Sequence, residues 1–162
     1  MAGDIKAKLG ASAAAITITL NALADDGARE SLAVDNTANL FLDVLVQLKI
    51  DTANVGAPAG DKNVLVYAFG TADNGTTYSG GATGADAAYG AVAGQLITNC
   101  KLLGMVAVDA QNEVFESNVF SIASAFGGVV PAKWGIIVVN QVGQALGANS
   151  AAFYQGIYGQ YT

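Results

Sequence analysis

The chain has 162 residues, 52% of them hydrophobic and 12% charged, with a formal net charge of −6. That balance excludes a disordered chain and is enough for one domain with a sizeable core; the seven scattered Lys and Arg exclude the basic footprint of a nucleic-acid binder and disfavour an anionic membrane surface. Histidine is absent and cysteine occurs once, which removes the commonest general base, the Ser-His-Asp and Cys-His arrangements, and any internal disulfide.

Lys6 and Lys8, the alanine-rich stretch 11–15 and Ala22-Leu23-Ala24 together invite a signal-peptide reading. Asp4 falls in what would be its basic region, however, and Thr17, Thr19 and Asn21 alternate with Ile16, Ile18 and Leu20. That is a strand period, not a continuous apolar run. Residues 1–15 are therefore expected as an extended N-terminal arm, free or draped on a neighbour, and residues 16–162 as a single β-sandwich domain. No apolar run has the length of a transmembrane helix.

From Ile16 onward the period is two almost throughout. Residues 16–23 are predicted as a strand, Asp25-Asp26-Gly27 as a tight turn, and 29–34 as the returning strand. Residues 41–51 form the cleanest prediction: Leu42, Val44, Val46, Leu48 and Ile50 on one face, Asp43, Gln47 and Lys49 with Phe41 and Leu45 on the other. A loop at 52–61 leads to a strand at 63–71. Residues 72–94 carry six glycines and are predicted as a long loop used for contact with a neighbouring subunit. Extended structure is expected at 96–108, with Leu102, Val106 and Val108 on one face, and again at 114–124 and 152–161. In the last strand Tyr154 and Tyr158 share a face opposite Phe153 and Ile157.

The segment 126–140, Phe-Gly-Gly-Val-Val-Pro-Ala-Lys-Trp-Gly-Ile-Ile-Val-Val-Asn, holds the one Trp and the longest β-branched run. Gly127-Gly128 and Pro131 bracket a loop, and Trp134 leads a strand apolar on both faces, the signature of a central strand buried on both sides. About eight antiparallel strands in two packed sheets, with no convincing amphipathic helix, give an all-β antiparallel sandwich, jelly-roll-like, with its N-terminal arm.

Candidate chemistry is thin. Asp73-Asn74-Gly75-Thr76, with Asp86 in the same loop, resembles the opening of a calcium loop but lacks the third acid and the distal Glu, and reads as a turn. Asp25 and Asp26 with Glu30, or Glu113 with Glu116, are conceivable carboxylate pairs, but all flank turns where solvated acids are expected. The tyrosines with Trp134 are candidates for a sugar-stacking platform, and read instead as core or interface anchors. Cys100 reads as a buried structural thiol, compatible with assembly in a reducing cytoplasm. Neither Gly80-Gly81 nor Gly127-Gly128 is a phosphate cradle. No catalytic residue, metal or cofactor is expected, nor a nucleic-acid or membrane partner.

The Gly/Ala/Thr-rich alternating strands, the small size, the acidic low-charge balance and the Phe126 to Gly135 segment together resemble the small structural proteins of tailed bacteriophages, the capsid decoration or cement proteins above all. The resemblance implies a non-enzymatic virion protein, made in the host cytoplasm, often trimeric, that braces the shell where major capsid subunits meet and grips the lattice or a neighbour through an N-terminal arm. The contacts expected on that basis are Lys6 and Lys8, Tyr78 and Tyr89 in the glycine-rich loop, Pro131 and Trp134, and Tyr158. A pilus-type, tail or fibre subunit and a carbohydrate-binding jelly roll are the alternatives.

Overall fold

A computed structural model describes residues 3–52, 56–90, 96 and 98–162. Parts of the predicted arm (1–2), of two predicted loops (53–55 and 91–95) and position 97 lie outside the described residues. Twelve strands occur among the described residues: β1 (Ile5–Leu9), β2 (Ala14–Ile16), β3 (Ala28–Glu30), β4 (Val34–Asp35), β5 (Asp43–Asp51), β6 (Asn63–Thr71), β7 (Ala87–Ala88), β8 (Lys101–Ala107), β9 (Val114–Glu116), β10 (Phe120–Ser121), β11 (Lys133–Gln141) and β12 (Ala151–Tyr161). The strands are interrupted by a 3-10 turn at Ser79–Gly81 and by one short helix, α1 (Ile122–Ala125), and residues 96, 98 and 99 are helical where extended structure was expected, so that β8 begins only at Lys101.

They form an antiparallel sandwich of two six-stranded sheets. The first runs β1-β12-β5-β10, with β2 also on β12 and β9 also on β5. The second runs β7-β3-β11-β6-β8, with β4 also on β11. If β1/β2, β3/β4 and β9/β10 each count as one position and the added edge strand β7 is set aside, eight successive positions remain, in spatial order 1-8-3-6 and 2-7-4-5.

β11 occupies the centre of the second sheet, and its run from Trp134 to Val138 is buried throughout. Trp134, Ile136 and Val138 point into the core between the sheets, against Val44, Val46, Leu48 and Ile50 of β5. Ile137 joins Tyr67 and Phe69 on the opposite face, where Ala82, Tyr89 and Cys100 cover them. The glycine-rich loop is therefore the lid on the second face of the central strand. A strand apolar on both faces needs two covers, and the chain supplies the second one itself.

Several predicted elements differ. β2 ends at Ile16, and beyond it Thr19 gives its N–H and hydroxyl to the Asp86 carboxylate at 3.0 and 2.6 Å instead of to a ladder. The predicted 29–34 strand splits into β3 and β4, with Ser31 buried between them and bonded to Ile136. In the Asp25-Asp26-Gly27 turn it is Asp26, not the glycine, that takes positive φ (55°). In β8 the register with β6 slips between Val66 and Tyr67, so Leu103 is an extra residue. The bulge breaks the predicted alternation: Val106 is buried while Leu102 is exposed. The predicted 114–124 strand ends in α1, whose first turn is capped by the Ser121 hydroxyl accepting the Ser124 N–H.

The predicted arm is a strand. β1 pairs along the last five residues of β12, from Ile5 opposite Tyr161 to Leu9 opposite Ile157. β5 begins at Asp43, opposite Ile157, so β1 and residues 158–161 project past it as a two-stranded ribbon.

Candidate functional site

The residues singled out for contact fall into three groups. Trp134 and Tyr89 are interior, which corrects their expected place at a contact surface. Trp134 is 0% exposed and stacks edge-on against Tyr154 at 5.6 Å. Its indole N–H finds no partner among the described residues. The Tyr89 hydroxyl donates to the Gly80 carbonyl, and burial pushes its pKa up to about 12. A tyrosine bonded in this way under the glycine-rich loop fastens the loop; it cannot present itself to a partner.

Lys6, Lys8 and Tyr158 come together on the ribbon. Alternation along β12 continues the core-facing register of Ala152, Tyr154 and Gly156 into Tyr158 and Gln160, which pair with Lys8 and Lys6. Beyond the sandwich that face is no longer covered, and Lys8 Nζ lies 5.8 Å from the centre of the Tyr158 ring. The other face carries Ile5, Ala7 and Leu9 opposite Tyr161, Gly159 and Ile157. Ile5 is 77% and Tyr161 71% exposed, and Leu42 is exposed beside Gly159. This apolar face escaped the sequence reading, although Ile5-Lys6-Ala7-Lys8-Leu9 alternates as a strand should.

Pro131 borders an open groove at the same end of the sandwich, and Tyr78 an adjoining pocket that shares Gly70, Thr71 and Ala72 with it. The groove is about 470 Å³, walled by Phe126, Val129 and Pro131 with Gly70, Thr71 and Ala72 as its floor. Val129 is 68% exposed at its lip. Asp73 and Tyr78 line the adjoining pocket. Tyr78 is half-buried, edge-on to Phe69 at 5.5 Å; burial raises its pKa, and the nearby Asp35 and Asp73 raise it further. Asp35 lies across from Lys133, with 3.8 Å between charged atoms.

The candidate chemical sites resolve into structural ones. Asp73 Oδ1 accepts the Thr71 hydroxyl at 2.5 Å and the N–H groups of Thr76 and Thr77 at 3.1 and 2.9 Å, bonds that hold its carboxyl well below the usual range. The Asp-Asn-Gly segment is thus a turn built on its own carboxylate. Burial pushes Asp86 up, but bonds from Arg29 and Thr19 outweigh it and its carboxyl stays below the usual value. Glu30, expected to be solvated, is 2% exposed, and its carboxylate accepts from Thr83 and Gly84. Asp25 instead accepts the Gly143 N–H at the surface, so the proposed trio does not converge. Cys100 is buried, which raises its thiol pKa. Among the described residues no group of three or more Cys, Asp or Glu is placed to hold a metal ion. No helix among them is long and apolar enough to cross a membrane.

The chain matches no protein-family model, no curated protein and no solved structure.

Proposed function

We propose that this chain is a non-enzymatic structural subunit of a virion, a decoration or cement protein that binds the assembled shell of a tailed bacteriophage and stabilises it. The observation that carries the reading is the ribbon of β1 and the end of β12. It exposes an apolar face that a two-stranded ribbon cannot bury by itself, and that face calls for an external partner. The strand order 1-8-3-6 and 2-7-4-5 supports reading the sandwich as a jelly roll, in which seven connections leave only one successive pair in the same sheet. The segment expected as an arm serves the same purpose as a ribbon already seated on its own sheet.

The mechanism is mass action. A subunit that binds the closed lattice and not its separated components shifts the equilibrium toward the lattice, by about 2.7 kcal/mol per site at a free concentration a hundredfold above its Kd. Many copies on one particle make modest contacts sufficient. A homotrimer is the expected form. The carbohydrate-binding alternative loses support because Trp134, Tyr67 and Tyr89, three of its seven expected stacking residues, are inside.

The test is to add the purified chain to phage shells assembled without it and to the isolated capsid subunits. Binding to shells alone, with a higher temperature of shell disruption, is the expected outcome. A chain that ignores shells and is missing from purified particles would sink the proposal.

A further inference from the structure

The ribbon and the groove lie at one end of the sandwich. Thr71 pairs with Lys133 at the groove, and Asp43, where β5 starts beside the ribbon, holds Ser121 and Ala123 at the start of α1. The ribbon has an apolar face (Ile5, Leu9, Ile157, Tyr161) backed by Lys6 and Lys8. The groove has apolar walls (Phe126, Val129, Pro131), with Asp73 in the adjoining pocket and Asp35 beside Lys133. The Asp73 carboxylate accepts from Thr71 and from the N–H groups of Thr76 and Thr77 through Oδ1, and carries its negative charge beside the groove. The two surfaces match in both apolar character and charge.

We propose that the groove receives the ribbon of a second copy of this chain: the face of Ile5, Leu9 and Tyr161 packs on Phe126, Val129 and Pro131, and Lys6 and Lys8 reach over the rim to Asp35 and Asp73. Long lysine stems suit this, since they lie along apolar surface while the ammonium stays wet. The obvious rival contact is edge-to-edge pairing of two β1 strands. Antiparallel pairing over the full strand, centred on Ala7, sets Lys6 of each copy opposite Lys8 of the other, and like charges directly opposite are unfavourable. Lysines on an exposed edge are a standard guard against such pairing. Since ribbon and groove share one end, copies meet by that end in a reciprocal dimer or a closed ring. An axial filament needs complementary surfaces at opposite ends.

This inference deepens the assembly reading but is tested without any shell. The native mass of the full chain is measured across a range of concentrations for the parent, for a ribbon variant (Ile5→Asp with Leu9→Asp) and for a groove variant (Val129→Asp). All three positions are exposed, so thermal melts followed by circular dichroism should show each variant folded. The parent is expected to be oligomeric, and each variant to associate about tenfold or more weakly, equivalent to at least about 1.4 kcal/mol. Mixing the two variants is expected to restore one contact, because the ribbon of the groove variant still fits the groove of the ribbon variant. A bismaleimide added to a mixture of Leu9→Cys and Val129→Cys chains should yield mainly the mixed dimer, with buried Cys100 as the unreactive background. A monomeric parent, an oligomer indifferent to Val129→Asp, or Leu9-to-Leu9 products as the main species would each overturn the proposal. A parent that stays monomeric yet loses shell binding when the ribbon is changed would also overturn it, leaving the decoration reading intact with the shell as the ribbon's partner. A closed oligomer that ignores shells would do the reverse.

Discussion

Replacing Glu30 by Ala tests whether the glycine-rich loop is a lid fastened from beneath. Glu30 Oε2 accepts the N–H of Thr83 at 2.7 Å and of Gly84 at 3.3 Å, and Oε1 accepts the Thr83 hydroxyl at 2.9 Å. Hydrogen bonds to a charged group are worth about 1.5–3 kcal/mol each. The Gly84 bond is long, and a loosened loop lets water satisfy the freed donors, so the expected cost is about 3 kcal/mol rather than the full sum. In a domain of this size that lowers Tm by about 6–12 °C. Glu30→Gln keeps one acceptor but turns an NH2 toward the same donors, and is expected to lose about half as much. Denaturant titration gives the energy, and Cys100 gives the location. Its thiol lies under the loop with Tyr89 and Ala82, so a loosened lid exposes it to a thiol reagent before the sheets separate. A loss under about 1 kcal/mol would refute the bond accounting. A large loss with Cys100 still as protected as in the parent would refute the lid.

Trp134→Ala is expected to cost about 3–5 kcal/mol as a core truncation, while Trp134→Phe, which also removes a buried indole N–H without a partner among the described residues, should cost under about 2 kcal/mol by the same denaturant measurement. Gly135→Ala places a Cβ against the Phe69 ring and 2.7 Å from Ser31 Oγ, so about 1–3 kcal/mol is lost to overpacking, read as a lower Tm. The stability–pH profile should fall on both sides. Asp73 and Asp86 are held below their ordinary 3.8, so their contribution is present above that value and lost as pH falls through the lower folded values. Tyr89, raised from 10.0 to about 12, contributes fully below pH 10 and loses that contribution as pH climbs through 12. A Tyr89→Phe variant should therefore show a shallower alkaline decline, and an unchanged slope would argue against it.

The long, regular strands were legible because alternation and burial are the same fact seen twice. β5, β6 and β11 fall where the period of two places them, and the double-sided apolar run at 134–138 identified the central strand. Two misjudged elements share another cause: a side chain competing with the ladder. Asp86 draws Thr19 off the strand path, and Ser121 caps α1 where extension was expected. Serine is a preferred N-cap residue, but Ser121 alone, with no Glu or Gln three residues on, is a weak signal beside eleven residues of strand propensity. The candidate surface was half legible. Lys6, Lys8, Pro131 and Tyr158 sit on the ribbon or the groove, and the arm and the Pro131 loop were expected contact regions, but within them Ile5, Leu9, Val129 and Phe126 were not singled out, since only the pairing of β1 with β12 turns an alternating pentapeptide into an exposed apolar face.

What the sequence determined by itself is class and exclusion. The alternation makes the chain all-β, and the absence of histidine and of paired cysteines removes whole chemistries, because both depend on residue identity and local period. Which side of each strand is covered, and by what, was decided only by tertiary structure. Trp134 and Tyr89 have the composition of contact residues, and Glu30 that of a solvated acid, until the facing sheet and the folded-back loop enclose them. Burial is a property of what lies opposite in space, and the residues opposite these three lie far away in the chain.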